Sequence, residues 1–213
     1  MTIIALVNRK GGVGKTTVAV HLAHWLKSRA YSVLLVDADP QQSSANWLRV
    51  LGIEAKVLLN PEDILTLLPD LAEPFDFVIV DSPANLGEVT QNILLVCDIG
   101  LIPCKPSGLD TNSSAQLIRH LQGIQRVRKG EPKAALFINL AVPNTRLLSD
   151  SLELLQEAGF PFMKTVLYQR QVICDAPGQE EVVWTMKGTS ARQAQADFER
   201  LFTEVMELIH DSG

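Results

Sequence analysis

Residues 8–17 read NRKGGVGKTT, directly behind the apolar run from Ile3 to Val7 and ahead of an amphipathic stretch that opens at Lys15. That order predicts a strand, a glycine loop and a helix. Gly11, Gly12 and Gly14, with Val13 between them, free consecutive backbone N–H groups to wrap a phosphate chain at the positive end of the helix. Lys15 stands where it can neutralise phosphate charge, the Thr16 hydroxyl where it can ligate Mg²⁺, and Thr17 completes the first turn. Such a chain is expected to bind a nucleotide.

Short, nearly continuous apolar runs recur at 3–7, 33–36, 75–80, 99–102, 136–140 and 163–167. They read as strands covered on both faces. Helical patterns lie between and after them, at 15–29, 61–71, 86–97, 109–128, 147–158 and 189–210. The alternation predicts an α/β fold, a doubly wound and mostly parallel sheet with helices on both faces, as one domain over residues 1–213. Ligands then belong at the carboxyl ends of the strands. In the last helix Ala191, Ala194, Phe198, Leu201, Phe202, Val205 and Ile209 form the packing stripe. Its polar face is net acidic, with Asp197, Glu199, Glu204, Glu207 and Asp211 against Arg192 and Arg200.

Two further strings end in carboxylates. VLLVDADPQQS, residues 33–43, places Asp37 and Asp39 at a strand tip, where one can position an attacking water and the other can hold the loop and metal shell. FDFVIVDSPAN, residues 75–85, ends its strand in Asp81, a place for a carboxylate that holds Mg²⁺ through water. Alone, either could be a turn or helix-capping aspartate. Following a glycine loop in this order, they read as parts of one phosphate site.

Composition removes other classes. Hydrophobic content of 46% supports a core, no run of eighteen apolar residues is present, and the start MTIIALVNRK lacks the order of a signal peptide, so a cytoplasmic protein is expected. Three cysteines, Cys97, Cys104 and Cys174, match no zinc spacing, and His21 and His24 lack a third ligand. A net charge of −5 argues against a bulk basic nucleic-acid coat. Local clusters remain: Arg119, Arg126, Arg128, Lys129 and Lys133, and a later set of Lys164, Arg170, Lys187 and Arg192.

Lys10 stands ahead of Lys15, and Arg9 occupies the place where the ordinary phosphate-loop pattern has glycine. Together with DADPQQ, SGLD at 107–110 and QRQVICDAPG at 169–178, this resembles the ParA/MinD family of deviant Walker box ATPases. The resemblance implies ATP and Mg²⁺ as cofactors, and an ATP-dependent homodimer in which Lys10 reaches the partner's nucleotide. It further implies that Asp39 serves hydrolysis, that Asp37 and Asp81 belong to the metal shell, and that residues 82–87 are a switch. Asn139 is expected at the adenine edge, with Asp175 and Pro177 lining the base.

The resemblance favours the short partition-type members, because Met1 directly precedes the first predicted strand. Those bind DNA without sequence preference and associate with the nucleoid, and a ParB-like or McdB-like adaptor stimulates them. Their cargo is a plasmid, a chromosome origin or a protein organelle such as the carboxysome. Arg126, Arg128, Lys129, Arg170, Lys187 and Arg192 are the candidate DNA contacts. A MinD-like membrane-cycling regulator would want a basic terminal helix, whereas this chain ends EVMELIHDSG. An assembly factor or metabolic enzyme would want a further substrate constellation or a CxxC pair. No membrane partner is expected.

Overall fold

The first apolar run becomes β1 (Thr2–Leu6), and the chain leaves the glycine loop as α1 (Lys15–Lys27). The computed structural model describes residues 1–106 and 111–210, with the backbone alone for 111–115; the SGLD string and Asp211 lie outside the described residues. The order continues β2 (Val33–Asp37), α2 (Ser43–Val50), β3 (Glu54–Val57), α3 (Pro61–Thr66), α4 (Leu68–Ala72), β4 (Phe77–Asp81) and α5 (Glu88–Val96). It ends β5 (Ile99–Cys104), α6 (Thr111–Val127), β6 (Lys133–Ile138), α7 (Arg146–Glu157), α8 (Gln171–Gln179) and α9 (Thr189–His210).

Among the described residues the strands form one sheet in the order β3-β2-β4-β1-β5-β6, and every pairing is parallel. Side chains alternate across each strand, so Ile4 and Leu6 enter one core layer while Ile3, Ala5 and Val7 enter the other. The first layer is closed by α1, α2, α8 and α9, through residues such as Leu22, Trp47, Ala176 and Phe198. The second is closed by α3 to α7, through Ile64, Leu68, Ile93, Leu121 and Leu155. Each large apolar side chain withdrawn in this way contributes about 1.5–3 kcal/mol. Because β1 lies between β4 and β5, the crossovers beginning at β1 and at β4 run to opposite sides of it. The crevice at its carboxyl end is where sheets of this topology take ligands.

Several expected elements differ. Residues 163–167 are not a strand; the segment meets the β6 side at the isolated bridges Leu136 with Phe162 and Ala141 with Tyr168, and through the Leu167 N–H on the Ile138 carbonyl at 2.9 Å. The physical reason is a competing acceptor, since the Glu204 carboxylate takes the N–H groups of Lys164 and Thr165 at 2.7 and 2.8 Å. The helix expected over 61–71 is two, α3 and α4, because Pro69 cannot donate the bond that would carry α3 onward. Residues 174–178, within the string that carried the resemblance, lie in a helix that was not foreseen, α8, with Pro177 inside it. Neither α2 nor β3 was foreseen, and Glu54–Val57 is mostly exposed, so it lacks the apolar signature of its neighbours. Asp197, expected on the polar face of α9, is buried and holds both Arg170 and Arg200.

Candidate functional site

The loop from Asn8 to Gly14 is held at both ends by side-chain amides. Asn8 donates from Nδ2 to the Pro103 carbonyl at the tip of β5 (2.7 Å), and its Oδ1 accepts the Lys10 N–H (2.9 Å). Asn139, one residue past β6, donates from Nδ2 to the Val13 carbonyl at 2.7 Å and accepts the Leu140 N–H. Gly14, the N-cap of α1, has φ +89°, and a Cβ there would collide with the Asn139 amide. Glycine is thus required twice over, for conformation and for room. Ser82 adds a third tie, its hydroxyl donating to Leu6 O at 2.7 Å.

The loop and strand tips enclose a hollow of about 330 Å³ bordered by Gly11, Gly12, Gly14, Lys15, Thr16, Thr17, Asp39 and Ala84. Lys15 lies at its floor, 6% exposed, with Nζ donating to Asn8 O at 3.4 Å. Burial lowers its pKa, while Asp81 and Asp39 pull it back up. The residue is therefore a buried cation with two carboxylates nearby and phosphate-sized space beside it.

Asp37 and Asp81 are register partners on β2 and β4. Asp37 is fully buried and spent on backbone: Oδ1 accepts the Asp39 N–H at 3.0 Å and Oδ2 the Ala45 N–H at 2.9 Å, inside the first turn of α2. Asp81 is the opposite case. It is 1% exposed, and among the described residues neither carboxylate oxygen has a partner in hydrogen-bonding geometry. Burial pushes its pKa up to about 7; the nearby Thr16 and Ser44 hydroxyls and Lys15 draw it down, and Asp37 adds to the rise. A buried, unpartnered carboxylate is costly unless something charged meets it. With the Thr16 hydroxyl and the open hollow beside it, this oxygen donor set fits a small hard cation such as Mg²⁺. Asp39 borders the hollow from the β2 side and uses Oδ1 to accept the Gln41 N–H, so its other oxygen can face a water on a bound phosphate.

On the other side of the loop a cavity of about 230 Å³ is lined by Gly12, Gly14, Thr17, Asn139, Leu140, Ile173, Cys174 and Pro177, among others. It shares Leu140 and Cys174 with a larger hollow of about 550 Å³ that reaches Lys105 and Leu147. Asn139 and Pro177, both expected beside the base, thus line one cavity. Asp175 does not line this cavity, because on α8 it stands half a turn away from Ile173 and Pro177 and accepts from Gln171 Nε2 at 2.7 Å. Sequence reasoning missed Asn8, Ser44 and Cys174 as site residues. Asn8 was in the quoted string, and an Asn two residues before a loop N–H is an Asx-turn signal.

Lys10 is half-buried at the entry to the loop, and the preceding Arg9 reaches Gln116 on α6. The candidate DNA contacts divide. Arg128 is occupied internally, donating to the Leu94 and Cys97 carbonyls at the end of α5 (3.3 and 2.5 Å). Arg170 is likewise held by Asp197 at 2.8 Å and by Gln193. Arg126, Lys129, Lys187 and Arg192 are exposed. The first two close α6 and the last two flank the start of α9, in layers on opposite faces of the sheet.

A parallel sheet whose first strand feeds a glycine loop, with lysine, threonine and carboxylates around one hollow, defines a P-loop nucleotide-binding protein. Residues 4–183 match the model of the CobQ/CobB/MinD/ParA nucleotide binding domain, and the chain belongs to that family. It is 32% identical over 211 residues to the maintenance of carboxysome distribution protein A of Halothiobacillus neapolitanus, covering 95% of each chain. It is 30% identical to the chromosome-partitioning ATPase Soj of Thermus thermophilus, over 57% of this chain and 62% of that protein. Among solved structures, apo McdA of Cyanothece superposes with a TM-score of 0.78 at 17% identity, over 98% of this chain and 99% of that one. A Cyanothece McdA variant in complex with ATP gives 0.74 at 19% identity, over 99% and 96%. The last two are likenesses of fold.

Proposed function

We propose that this chain is an ATP-driven positioning ATPase, of the kind that distributes a protein organelle such as the carboxysome. The observation that carries the reading is the arrangement of Lys15, Thr16 and Asp39 around one hollow, with the buried, unpartnered Asp81 beside Thr16 and Lys15. Support for the cargo class comes from extent of likeness. The carboxysome-distribution relative matches along 95% of the chain, the chromosome-partitioning one along 57%. In this reading the loop N–H groups and Lys15 grip the phosphates, and Asp81 with Thr16 holds Mg²⁺. Bound magnesium offsets phosphate charge and orients the terminal phosphoryl group. Asp39 positions the attacking water. Asn139 and the α8 side chains Cys174 and Pro177 wall the base.

The ATP state is a homodimer in which Lys10 crosses to the partner's nucleotide. Pairing two protomers doubles the exposed cations Arg126, Lys129, Lys187 and Arg192, which raises affinity for any DNA sequence without a basic chain. An adaptor of the ParB or McdB type stimulates hydrolysis and releases the protein from the nucleoid in the cytoplasm. The deciding experiment is binding to random-sequence DNA without nucleotide, with ADP and with ATP, over a salt series. ATP-specific binding that falls steeply with salt is expected. Absence of DNA binding in every state, with binding to anionic vesicles instead, would replace this function with a membrane-cycling one.

A further inference from the structure

Among the described residues, six buried side-chain polar atoms lack a hydrogen-bond partner: His24 Nδ1, Ser44 Oγ, both Asp81 carboxylate oxygens, Thr90 Oγ1 and His120 Nε2. Three of the six fall at one place. Ser44, in the first turn of α2, is fully buried, and its hydroxyl is near enough to Asp81 to draw that carboxyl's pKa down, as the Thr16 hydroxyl does from α1. A buried donor and a buried acceptor are thus left open to each other.

The backbone puts them there. Asp37 and Asp81 are register partners on β2 and β4, and Ala45, next after Ser44, gives its N–H to Asp37 Oδ2 at 2.9 Å. The same Asp37 holds the Asp39 N–H through Oδ1 at 3.0 Å, so one carboxylate fixes both ends of the segment that leads from Asp39 into α2. Thr16 and Ser43 border one hollow of about 440 Å³, so α1 and α2 begin side by side. An alanine at position 44 would fill the same space without an unpaired hydroxyl, and the packing of α2 therefore gives no account of this serine.

We propose that Ser44 is a positioning residue for the metal site: its hydroxyl donates to one oxygen of Asp81, leaves the other oxygen and Thr16 to Mg²⁺, and ties metal occupancy to the start of α2 and the Asp39 segment. The inference rests on the metal role proposed for Asp81 and adds to it the residue that orients this carboxylate. A carboxylate held by one donor presents its remaining oxygen in a fixed direction. Groups that orient a metal-binding carboxylate in this way typically change metal affinity by about 10–100-fold. The tie to Asp39 follows from connectivity, because a bond from Ser44 to Asp81 joins α2 to β4 while Ala45 and Asp39 both stay on Asp37.

The test is calorimetric titration of the full chain with ATP, once with Mg²⁺ and once with EDTA, beside backbone amide hydrogen exchange over residues 37–45. The gain in affinity brought by Mg²⁺ is the readout, since a merely structural loss weakens both titrations alike. Ser44→Ala is expected to lose about tenfold of that gain while its affinity with EDTA stays within about threefold of wild type. Asn46→Ala, on the exposed side of α2, should match the wild type in both titrations. Mg²⁺ with ATP should slow exchange at residues 39–45 in the wild type and not in Ser44→Ala. Thermal melting without ligand shows that each variant folds. A full Mg²⁺ gain in Ser44→Ala together with its loss in Asp81→Asn would overturn the role of Ser44 and leave the metal site standing, whereas a full gain in both would overturn the two together. Equal weakening of Ser44→Ala with Mg²⁺ and with EDTA would reduce Ser44 to packing and overturn the proposal as well.

Discussion

His21 of α1 and Val183, in the link between α8 and α9, share a hydrogen bond: the Val183 N–H donates to Nε2 at 3.3 Å, while Nδ1 meets the Thr17 carbonyl at 2.7 Å. An acceptor role at Nε2 leaves the ring's single proton on Nδ1, so this geometry specifies the neutral tautomer. The ring is fully buried and stacks on Phe198 with centroids 4.5 Å apart. It fastens the helix that leaves the glycine loop to the segment that follows α8.

The burial of His21 lowers its pKa from 6.5 to about 4. The unfolded chain therefore takes up a proton first, and stability is lost as pH falls from 6.5 toward 4, at about 1.4 kcal/mol per unit. Asp81 has the opposite slope, because its folded pKa lies above its unfolded one and its stabilising effect falls as pH rises between 3.8 and about 7. Urea unfolding across this range is expected to show a shallow profile for the wild type and a steep acid limb for Asp81→Asn. Equal slopes in the two proteins would contradict the assignment of these shifts.

Asp81 also gives a test of the metal site. Removing an unpartnered buried charge should raise the melting temperature of Asp81→Asn without ligand at pH 8, even though the residue sits beside Thr16 and Lys15 of the glycine loop. Addition of Mg²⁺ with ATP should stabilise the wild type strongly and the variant little, and EDTA should erase the difference made by the metal. A variant that is destabilised alone, yet gains as much as the wild type from Mg²⁺ with ATP, would remove Asp81 from the metal shell.

Gly14→Ala is expected to cost about 2–4 kcal/mol, from left-handed backbone strain and loss of the Asn139 bond to Val13. Gly52→Ala supplies the control, since Gly52 has φ +65° and, among the described residues, nothing within 4 Å of an added Cβ. Strain alone then costs about 1–2 kcal/mol. Chemical denaturation compares the two, and equal losses would mean that the Asn139 contact adds nothing.

The loop, the sheet and the carboxylates were legible because each is local in sequence. A glycine string fixes a loop, and four or five apolar residues fix a buried strand such as Phe77–Asp81. What escaped depends on distant partners. Residues 163–167 have a strand's composition, yet Glu204, far along the chain, captures their N–H groups. Arg128 and Arg170 looked like surface cations, and only the fold shows the carbonyls and the aspartate that hold them. Asp197 fell on the polar side of a helical pattern that carries no information about a buried ion pair.

Asn139 was placed at the adenine edge by resemblance, while its amide is committed to the Val13 carbonyl. If its main work is to brace the loop, Asn139→Ala should weaken ATP and inorganic triphosphate alike, by on the order of tenfold, the loss of a buried hydrogen bond. A residue that only read the base would leave triphosphate affinity intact. Calorimetric titration with both ligands separates the two roles.

The two lysines and Asp39 divide the proposed cycle into steps that fail separately. Lys15 lies on the floor of the hollow, so Lys15→Ala should lose nucleotide binding and everything after it. Lys10 is anchored through its backbone to Asn8, outside the set of side chains that border the hollow, so Lys10→Ala should bind ATP with affinity within about threefold of wild type yet remain monomeric. Asp39→Ala should bind ATP and accumulate as a dimer, because the side chain borders the phosphate space without gripping it. Its turnover should fall by on the order of a hundredfold or more, as for loss of a group that orients the attacking water. Light scattering with ATP, read beside phosphate release, distinguishes the three. Dimerisation of Lys10→Ala at the wild-type ATP concentration would show that this lysine does not cross the interface, and wild-type turnover by Asp39→Ala would move the positioning of water to another residue.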